Sequence, residues 1–306
     1  MRAVRFEQYG PDDVLEVVDV DTPVPRAGEV VVAVRAAGIN PGEIGIREGR
    51  MHERWPATFP EGEGSDFAGV VDAAGPGVAA FRPGDDVVGF TNDRASHAEF
   101  VRVSVDQVVA KPANVPWDAA GALFVAGTTA YAVVAAAQVG PGDVVVVSAA
   151  AGGVGSLTVQ WARRAGASVI GLASPAHHDW LWAHGVEPVE YAGEDFVDRV
   201  RAAADDRAVT ALLDTHGGGY VQLGLDLGVA PERIATIADF GAGRLGARVV
   251  SHSVAATAPV MAELVAAIAA GELEVPIAAR FPLEQVRDAY RLQASGHVHG
   301  KIVLVP

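Results

Sequence analysis

The stretch that decides the fold is Ser148-Ala149-Ala150-Ala151-Gly152-Gly153-Val154-Gly155, a glycine-rich turn between a predicted strand and a predicted helix. Ala150, Gly152 and Gly155 occupy the three glycine positions of the G-x-G-x-x-G spacing, with Ala in place of the first Gly. Such a turn lets backbone N–H groups approach a pyrophosphate and lets the helix pack closely on the strand. The stretch therefore predicts a dinucleotide-binding site at residues 150–155.

The segments on both sides of this turn have the patterns of a parallel α/β sheet. Residues 144–147 are four consecutive valines, as in a strand that is buried on both faces. After the turn, Val154, Leu157, Trp161 and Ala165 are spaced to lie on one face of a helix. Further strands are predicted at 168–173, 188–191, 208–214, 233–237 and 247–251. Six strands alternating with helices predict a complete doubly wound sheet.

The chain before about residue 110 has a different pattern, which predicts an all-β half. Short apolar or alternating runs stand between Gly and Pro residues, at spacings that suit a small barrel. These runs cover residues 14–20, 29–36, 67–73 and 86–89.

The end of the chain is too short to form a domain of its own. A helix is predicted at about 257–270, another at 283–295 and a last strand at 301–305. We expect this tail to return to the first domain, so that the dinucleotide domain is an insertion. The predicted domains are 1–120 with 262–306, and 121–261.

Composition excludes several classes of protein. Half of the 306 residues are hydrophobic and 20% are charged, a balance that excludes a disordered or fibrous chain. The formal net charge of −15 repels phosphate backbones and anionic lipids, so neither a nucleic-acid nor a membrane partner is expected. The absence of cysteine excludes disulfides, thiolate catalysis and Cys-ligated metals.

Two segments bear on location. Residues 1–7 are charged where a signal peptide is apolar. The uncharged run 119–142 contains glycines, Gln138 and Pro141, and we interpret it as a buried helix followed by a turn. A cytoplasmic location is therefore expected.

The residues after the second strand of the sheet bear on the choice of nucleotide. NAD-binding folds usually hold an Asp or Glu there, whereas this chain has Ser174. This favours NADPH, although no Lys or Arg stands between Arg164 and Arg199 to meet a phosphate. His177, His178 and Tyr191 are then the local donors, and they are assigned to the cofactor site with Ser174. NADH stays open, as does the alternative that both histidines are solvated residues at a helix start.

Several segments along the whole chain together resemble the medium-chain dehydrogenase/reductase superfamily, and more narrowly its zinc-independent quinone oxidoreductase branch. They are Ala37-Gly38-Ile39-Asn40-Pro41, Gly64-Ser65-Asp66-Phe67-Ala68-Gly69-Val70-Val71, Phe81-Arg82-Pro83-Gly84-Asp85-Asp86-Val87, Ala98-Glu99-Phe100, the turn 150–155, and Gly300-Lys301-Ile302-Val303-Leu304. The resemblance implies an α/β protein with a GroES-like β-barrel catalytic domain and a doubly wound parallel-sheet (Rossmann) dinucleotide-binding domain.

The resemblance also implies a reaction and a set of residues. The reaction is hydride transfer from NADPH to a quinone or an α,β-unsaturated carbonyl compound, a small electrophilic acceptor. By family position Asn40 and Thr129 flank the nicotinamide and are the candidate catalytic residues. Ile237 and residues 250–253 line its pocket. The further cofactor-binding candidates are Thr215, Ser251 and Lys301. The alternative is that Asn40 caps a loop and Thr129 caps the start of a helix.

No metal site is expected. Zinc-bearing relatives have Gly-His-Glu where this chain has Gly64, Ser65 and Asp66, and a Cys near the position of Asn40. The remaining histidines show no ligand spacing on one predicted helix. A zinc-type alcohol dehydrogenase is therefore disfavoured, while a catalytically idle NADPH-binding sensor or structural protein stays open. A homodimer that pairs near residues 247–253 is expected, because relatives pair the last strand of this sheet.

Overall fold

A computed structural model describes residues 1–193, 195–205 and 207–306 of the chain. The strands are β1 Arg2–Phe6, β2 Glu16–Asp19, β3 Glu29–Gly38, β4 Glu61–Gly62, β5 Asp66–Ala74, β6 Asp86–Phe90, β7 Phe100–Ser104, β8 Val108–Ala110, β9 Val144–Val147, β10 Ser168–Leu172, β11 Glu187–Val189, β12 Ala211–Asp214, β13 Ile234–Thr236, β14 Arg248–Val249, β15 Ile277–Pro282 and β16 Lys301–Val305. The α-helices are α1 Pro41–Arg47, α2 Trp117–Gly121, α3 Phe124–Ala136, α4 Gly153–Arg164, α5 His178–Ala183, α6 Phe196–Ala203, α7 Tyr220–Asp226, α8 Ala258–Ala269 and α9 Val286–Ala294.

The chain divides into two compact units. Unit 1 consists of Met1–Val125 and Thr257–Pro306, and unit 2 consists of Ala126–Ala256. The sequence pattern places the corresponding breaks a few residues away, at 120/121 and 261/262. In both divisions the dinucleotide-type unit is inserted into the first one.

Unit 2 contains a six-stranded parallel sheet with the strand order β11-β10-β9-β12-β13-β14. The four valines of β9 are at most 1% exposed, as the continuous apolar run predicts for a central strand. The strand order reverses between β9 and β12. After β9 the chain adds β10 and β11 on one side of β9, and it then adds β12, β13 and β14 on the opposite side. This is the doubly wound arrangement, in which ligands bind at the carboxyl ends of the strands near the reversal.

Unit 1 is organised around β3, the longest strand. β3 pairs antiparallel with β5 and β7 along most of its length and with β16 at its end, where Leu304 stands opposite Ala37. The C-terminal segment therefore adds to the sheet that the N-terminal residues begin. One apolar core joins both ends of the chain: Val4, Phe6, Leu15, Ile39, Leu283, Val286, Ala289, Tyr290, Ile302 and Leu304.

The prediction that the N-terminal half is all-β was wrong at α1. This helix has Asn40 at the N-cap and Pro41 at its first position, which are favourable residues for a helix start. It is only seven residues long, so no helical periodicity stands out in the sequence. The short helix fixes the position of Asn40 at its amino end.

The uncharged run at 119–142 forms the end of α2, the helix α3 and a turn, as interpreted from its glycines. α3 is largely buried. No helix within the described parts of the chain is long and apolar enough to span a membrane.

Candidate functional site

The glycine-rich turn lies between the carboxyl end of β9 and the amino end of α4. Ala149 has a φ of +45°, in the left-handed region that a residue with a side chain rarely adopts. Its carbonyl oxygen accepts the N–H of Gly152 at 2.8 Å. The N–H of Ala150 bonds to the carbonyl of Leu172 at 2.9 Å, which ties the turn to the end of β10. The turn is thus a fixed structure at the carboxyl edge of the sheet.

The first turn of α4 provides the donors that an anion requires. Helical geometry leaves the first N–H groups of α4 without acceptors inside the helix, and the helix dipole places partial positive charge there. The N–H of Ser156 is the first to bond back, to the carbonyl of Gly152 at 2.9 Å. A Cβ on Gly155 would lie 2.0 Å from the oxygen of Ala149, so only glycine allows this approach. The residues present therefore fit a dinucleotide diphosphate.

Asp214 organises the edge of the sheet around the turn. The side chain is fully buried, and its Oδ1 accepts the hydroxyl of Ser148 at 2.8 Å and the N–H groups of His216 and Gly217 at 3.0 and 2.8 Å. Its Oδ2 accepts the hydroxyl of Thr236 at 2.7 Å. These bonds join the ends of β9, β12 and β13. Asp214 was not among the predicted site residues, and its function in the structure is to hold three loops together.

Three predicted cofactor-binding residues lie on this same edge of the sheet. Thr215 follows β12, and its hydroxyl donates to the carbonyl of Ser148 at 2.6 Å. Ile237 follows β13, and Ser251 lies just beyond β14. Because all six strands are parallel, the structure brings these residues to the edge that carries the glycine-rich turn.

The residues predicted to meet the ribose end of the nucleotide lie after β10 and β11. Ser174 is the N-cap of a short 3₁₀ helix, Pro175–His177, that leads into α5. His178 bonds through Nε2 to the carbonyl of Ala173 at 3.2 Å. Tyr191 follows β11 and is 44% exposed. The structure therefore places Ser174, His177 and His178 in the segment that runs from β10 into the start of α5, and Tyr191 in the loop after the neighbouring strand β11.

This edge also carries a positive charge that was not predicted from the sequence. The guanidinium of Arg199, in the first turn of α6, donates to the carbonyl of Glu190 at 2.9 Å and pairs with Asp195. It therefore lies at the carboxyl end of β11, the neighbour of β10. The signal is general: the helix that follows a parallel strand begins at the carboxyl edge, so charged residues of its first turn lie there.

Thr129 lies inside a helix. It is the sixth residue of α3 and is 5% exposed. The alternative that it caps a helix start is therefore wrong, because α3 begins five residues earlier at Phe124. Its part in a reaction stays a prediction.

Asn40 and Lys301, both in unit 1, are brought together. The ammonium of Lys301 donates to Oδ1 of Asn40 at 2.5 Å and to the carbonyl of Ile39 at 2.7 Å. Its third neighbour is the carboxylate of Asp66, with Nζ to Oδ2 at 3.8 Å. Lys301 is 3% exposed and Asn40 is 6% exposed. No sequence pattern connects the two residues, which are 261 positions apart.

Burial controls the electrostatics around Asn40. It raises the pKa of Asp66 to about 6, because the cation of Lys301 and the side chain of Asn40 only partly offset the loss of solvent. Burial lowers the pKa of Lys301 for the same reason. It also lowers the pKa of His97, whose Nε2 lies 3.2 Å from the carbonyl of Gly38.

A second buried ion pair lies beside this group. Arg47 Nη1 is 2.7 Å from Glu63 Oε1, and both side chains are 1% exposed. The guanidinium of Arg47 stacks over the ring of Tyr290, 4.4 Å from its centroid. Burial raises the pKa of Glu63 and that of Tyr290. No sequence motif identifies Glu63, which stands between Gly62 and Gly64.

No group of three or more His, Asp or Glu side chains in the described ranges is arranged to hold a metal ion.

Two family models match the chain. One, described as an alcohol dehydrogenase GroES-like domain, covers residues 26–143, and the other, described as a zinc-binding dehydrogenase, covers residues 184–304. The first covers most of the N-terminal part of unit 1 and continues into the start of unit 2, and the second begins within unit 2 and continues into the C-terminal segment of unit 1.

Full-length relatives and solved structures agree with these models. Quinone oxidoreductase 1 of Escherichia coli (strain K12) is 27% identical over 99% of this chain and 99% of its own length. The structure of the quinone oxidoreductase from Coxiella burnetii is 30% identical, with a TM-score of 0.89 over 100% of this chain and 99% of that chain. The CurK enoyl reductase is 26% identical, with a TM-score of 0.87 over 99% and 98%. The predicted fold class, a GroES-like domain with a Rossmann-type parallel sheet, is confirmed.

Proposed function

The chain belongs to the quinone oxidoreductase branch of the medium-chain dehydrogenase/reductase superfamily, and from this premise we propose that it uses NADPH to reduce a quinone or an α,β-unsaturated carbonyl compound. The observation that carries the proposal is the tight glycine-rich turn from Ala149 into the first turn of α4, which packs at Gly155 and lies at the reversal of the strand order. A parallel sheet with such a turn at this place is built to hold a dinucleotide.

Bound NADPH supplies a hydride from C4 of its reduced nicotinamide. The chain contributes the binding groups. N–H groups of Gly153, Val154 and Gly155 at the start of α4 meet the diphosphate, which a protein of net charge −15 otherwise repels. Thr215, Ile237 and Ser251 line the same edge further along the sheet.

The loops after β10 and β11 support NADPH over NADH. Ser174 can donate to a 2′-phosphate without repelling it, whereas an acidic residue there would repel it. Arg199 adds a guanidinium at the carboxyl end of β11, where it also pairs with Asp195. A guanidinium in the first turn of α6 and a hydroxyl in the loop after β10 are suitable partners for a phosphate.

The proposed class of acceptor is one whose reduction needs a hydrogen-bond donor but no group that removes a proton. Neither a quinone nor an enone requires an alcohol proton to be removed, so a hydrogen-bond donor at the acceptor oxygen is sufficient. Asn40, the N-cap residue of α1, is the candidate donor by its family position. Thr129 is the second candidate.

We further propose that two copies of the chain associate through β14. This strand ends the six-stranded sheet, and an open sheet edge invites pairing with another strand. Exposed apolar side chains surround it: Phe240 at 61%, Leu245 at 47%, Val249 at 42% and Val254 at 73%.

The proposed function is tested in two steps. Fluorescence titration with NADPH and NADH measures binding, and the loss of nicotinamide absorbance is then followed with a panel of quinones, enones and simple alcohols. We expect NADPH to bind more tightly and to be oxidised by quinones or enones. Binding without turnover supports the idle sensor, zinc-stimulated activity on alcohols supports a dehydrogenase, and failure to bind either nucleotide overturns the proposal.

A further inference from the structure

A cavity of about 330 Å³ lies at the amino edge of the parallel sheet in unit 2, the edge at which the strands begin. It lies where β10 begins at Ser168 and β11 begins at Glu187, beside the ends of α4 and α6. The glycine-rich turn lies at the opposite edge, after β9. Ligand cavities in proteins usually measure roughly 300–1,000 Å³, so this one is large enough for a small molecule.

Arg163, on the last turn of α4, brings a guanidinium to this cavity. Within the described residues this guanidinium forms no hydrogen bond and no ion pair. It lies directly against Gly185, where a Cβ would be 2.7 Å from Nη2 and 2.9 Å from Cζ. Gly185 has a φ of +68°, which suits the turn after α5, and its missing side chain leaves the space that the guanidinium occupies.

Arg207 adds a second guanidinium to the lining. Its Nη1 donates to Ser168 Oγ at 3.0 Å, and its Nε donates to the carbonyl of Ala204 at 3.3 Å. A guanidinium has five N–H groups, so three remain after these two bonds. The side chain is therefore tied to the start of β10 and the end of α6 while most of its donors stay available.

The cavity has an excess of positive charge in a protein whose net charge is −15. Within the described residues, the ionisable side chains that line it are Arg163, Arg207 and Glu187, and Glu187 forms no ion pair with either arginine. The sum of these charges is one positive charge. A single carboxylate balances it, whereas a phosphate dianion would leave an excess of negative charge beside Glu187.

The rest of the lining suits an apolar ring. Val169, Ile170 and Val186 line the cavity and are at most 3% exposed, so they belong to the packed interior. Trp182 also lines it and is 55% exposed, which leaves apolar surface of the indole for a ligand to cover. Aliphatic side chains and an indole gain from covering an aromatic ring and gain nothing from a small hydrated anion.

We propose that this cavity binds an aromatic carboxylate. The carboxylate accepts hydrogen bonds from Arg163 and Arg207, and the ring packs against the aliphatic wall and Trp182. A guanidinium suits a carboxylate because two parallel N–H groups can bond to its two oxygens. The site goes beyond the proposed function, since it uses neither the glycine-rich turn nor a residue assigned to the cofactor.

The distance between the two edges of the sheet makes this site independent of nucleotide binding. α4 begins at Gly153, in the glycine-rich turn, and ends at Arg164. Its 12 residues span about 18 Å at the rise of an α-helix. A ligand beside Arg163 therefore does not occupy the place of a diphosphate at Gly153, and both should bind at the same time.

The chain offers matched variants for this idea. Arg163→Gln and Arg207→Gln each remove one of the two positive charges that line the cavity. Arg164→Gln removes the next charge along α4, but the guanidinium of Arg164 lies over the ring of Trp161, 5.5 Å from its centroid. All three arginines are exposed, and we expect the variants to fold because exposed substitutions seldom change stability much.

The first experiment measures binding by isothermal titration calorimetry. The probe is 2-naphthoate, and 2-naphthamide is the uncharged control. We expect 2-naphthoate to bind, and its Kd to rise about tenfold in Arg163→Gln and in Arg207→Gln, as for the loss of a charged hydrogen bond. In Arg164→Gln, and in the wild type saturated with NADPH, the Kd should stay within about twofold.

The second experiment locates the ligand. The chain has five tryptophans, so ¹⁵N labelling of the indoles gives five side-chain signals, and Trp182→Phe identifies the one from Trp182. We expect 2-naphthoate to shift this signal in the wild type. Trp182→Ala should weaken the binding of 2-naphthoate, because the ring loses one side of its contact.

Several results would overturn the proposal: no binding of 2-naphthoate, equal binding of 2-naphthamide, an unmoved Trp182 signal, an equal loss in Arg164→Gln, or displacement by NADPH. Tighter binding of 2-naphthyl phosphate than of 2-naphthoate would overturn the assignment to a carboxylate. A protein that binds 2-naphthoate at Trp182 but neither nucleotide would support this site and refute the proposed function.

Discussion

The α-carbon of Gly155 packs so closely on the carbonyl oxygen of Ala149 that a Cβ there would lie 2.0 Å from that oxygen. At Gly152 the same oxygen would be 3.2 Å from a Cβ. Gly155 therefore allows the close contact between strand and helix, whereas Gly152 faces the space where a diphosphate is expected. We therefore expect a substitution at Gly155 to affect mainly stability and a substitution at Gly152 to affect mainly nucleotide binding.

Gly155→Ala should destabilise the protein, because the methyl group forces α4 away from the turn. We expect the free energy of unfolding to fall by about 1–3 kcal/mol, the usual cost of overpacking, as measured by urea unfolding. Gly152→Ala should retain nearly all of the stability but bind NADPH more weakly in fluorescence titration. The interpretation fails if Gly152→Ala is the less stable protein, or if it binds NADPH as the wild type does.

Asp66 makes stability depend on pH in a defined window. Its pKa is about 6 in the folded protein, above the ordinary value of 3.8, because burial disfavours the carboxylate. The folded state therefore holds this proton more tightly than the unfolded state does, so the contribution is complete below pH 4 and is lost as the pH rises through 6. Lys301, Glu43, Asn40 and the N–H of Val125 are the groups around it.

Asp66→Asn removes this dependence. Relative to the variant, the wild type should lose about 2 kcal/mol of unfolding free energy between pH 4 and pH 6. Urea unfolding of both proteins across that range measures the difference, and Asp72→Asn, on the same strand but with an exposed side chain, is the control. Parallel curves for the wild type and Asp66→Asn would contradict the assignment.

The parts of the fold that sequence predicts are those with local signals. The strand Val144–Val147, the turn and α4 are adjacent in the chain, and each follows from its own residue pattern. The relation of Asn40 to Lys301 has no such signal, because it depends on the antiparallel pairing of β16 with β3 across 261 positions. Arg199 was missed for a similar reason, since only the parallel topology places the start of α6 beside the nucleotide edge.

Arg199 should distinguish the two nucleotides. We expect Arg199→Ala to raise the Kd for NADPH about tenfold while the Kd for NADH changes little, since only NADPH carries the 2′-phosphate that a guanidinium attracts. Arg201→Ala is the matched control, because Arg201 is on the same helix and pairs with Asp198 on the exposed surface. Equal losses for both nucleotides in Arg199→Ala would mean that Arg199 only holds the loop after β11.

The proposed association through β14 predicts the behaviour of Val249, an exposed residue at the end of the sheet. The wild-type protein should elute as a dimer in size-exclusion chromatography with light scattering. Val249→Asp should shift it to a monomer, because two like charges would then meet where the strands pair. Val24→Asp places the same charge on a residue of unit 1 that is 75% exposed, and that variant should stay dimeric. A monomeric wild type would refute the assembly, and a dimeric Val249→Asp protein would move the interface to another surface.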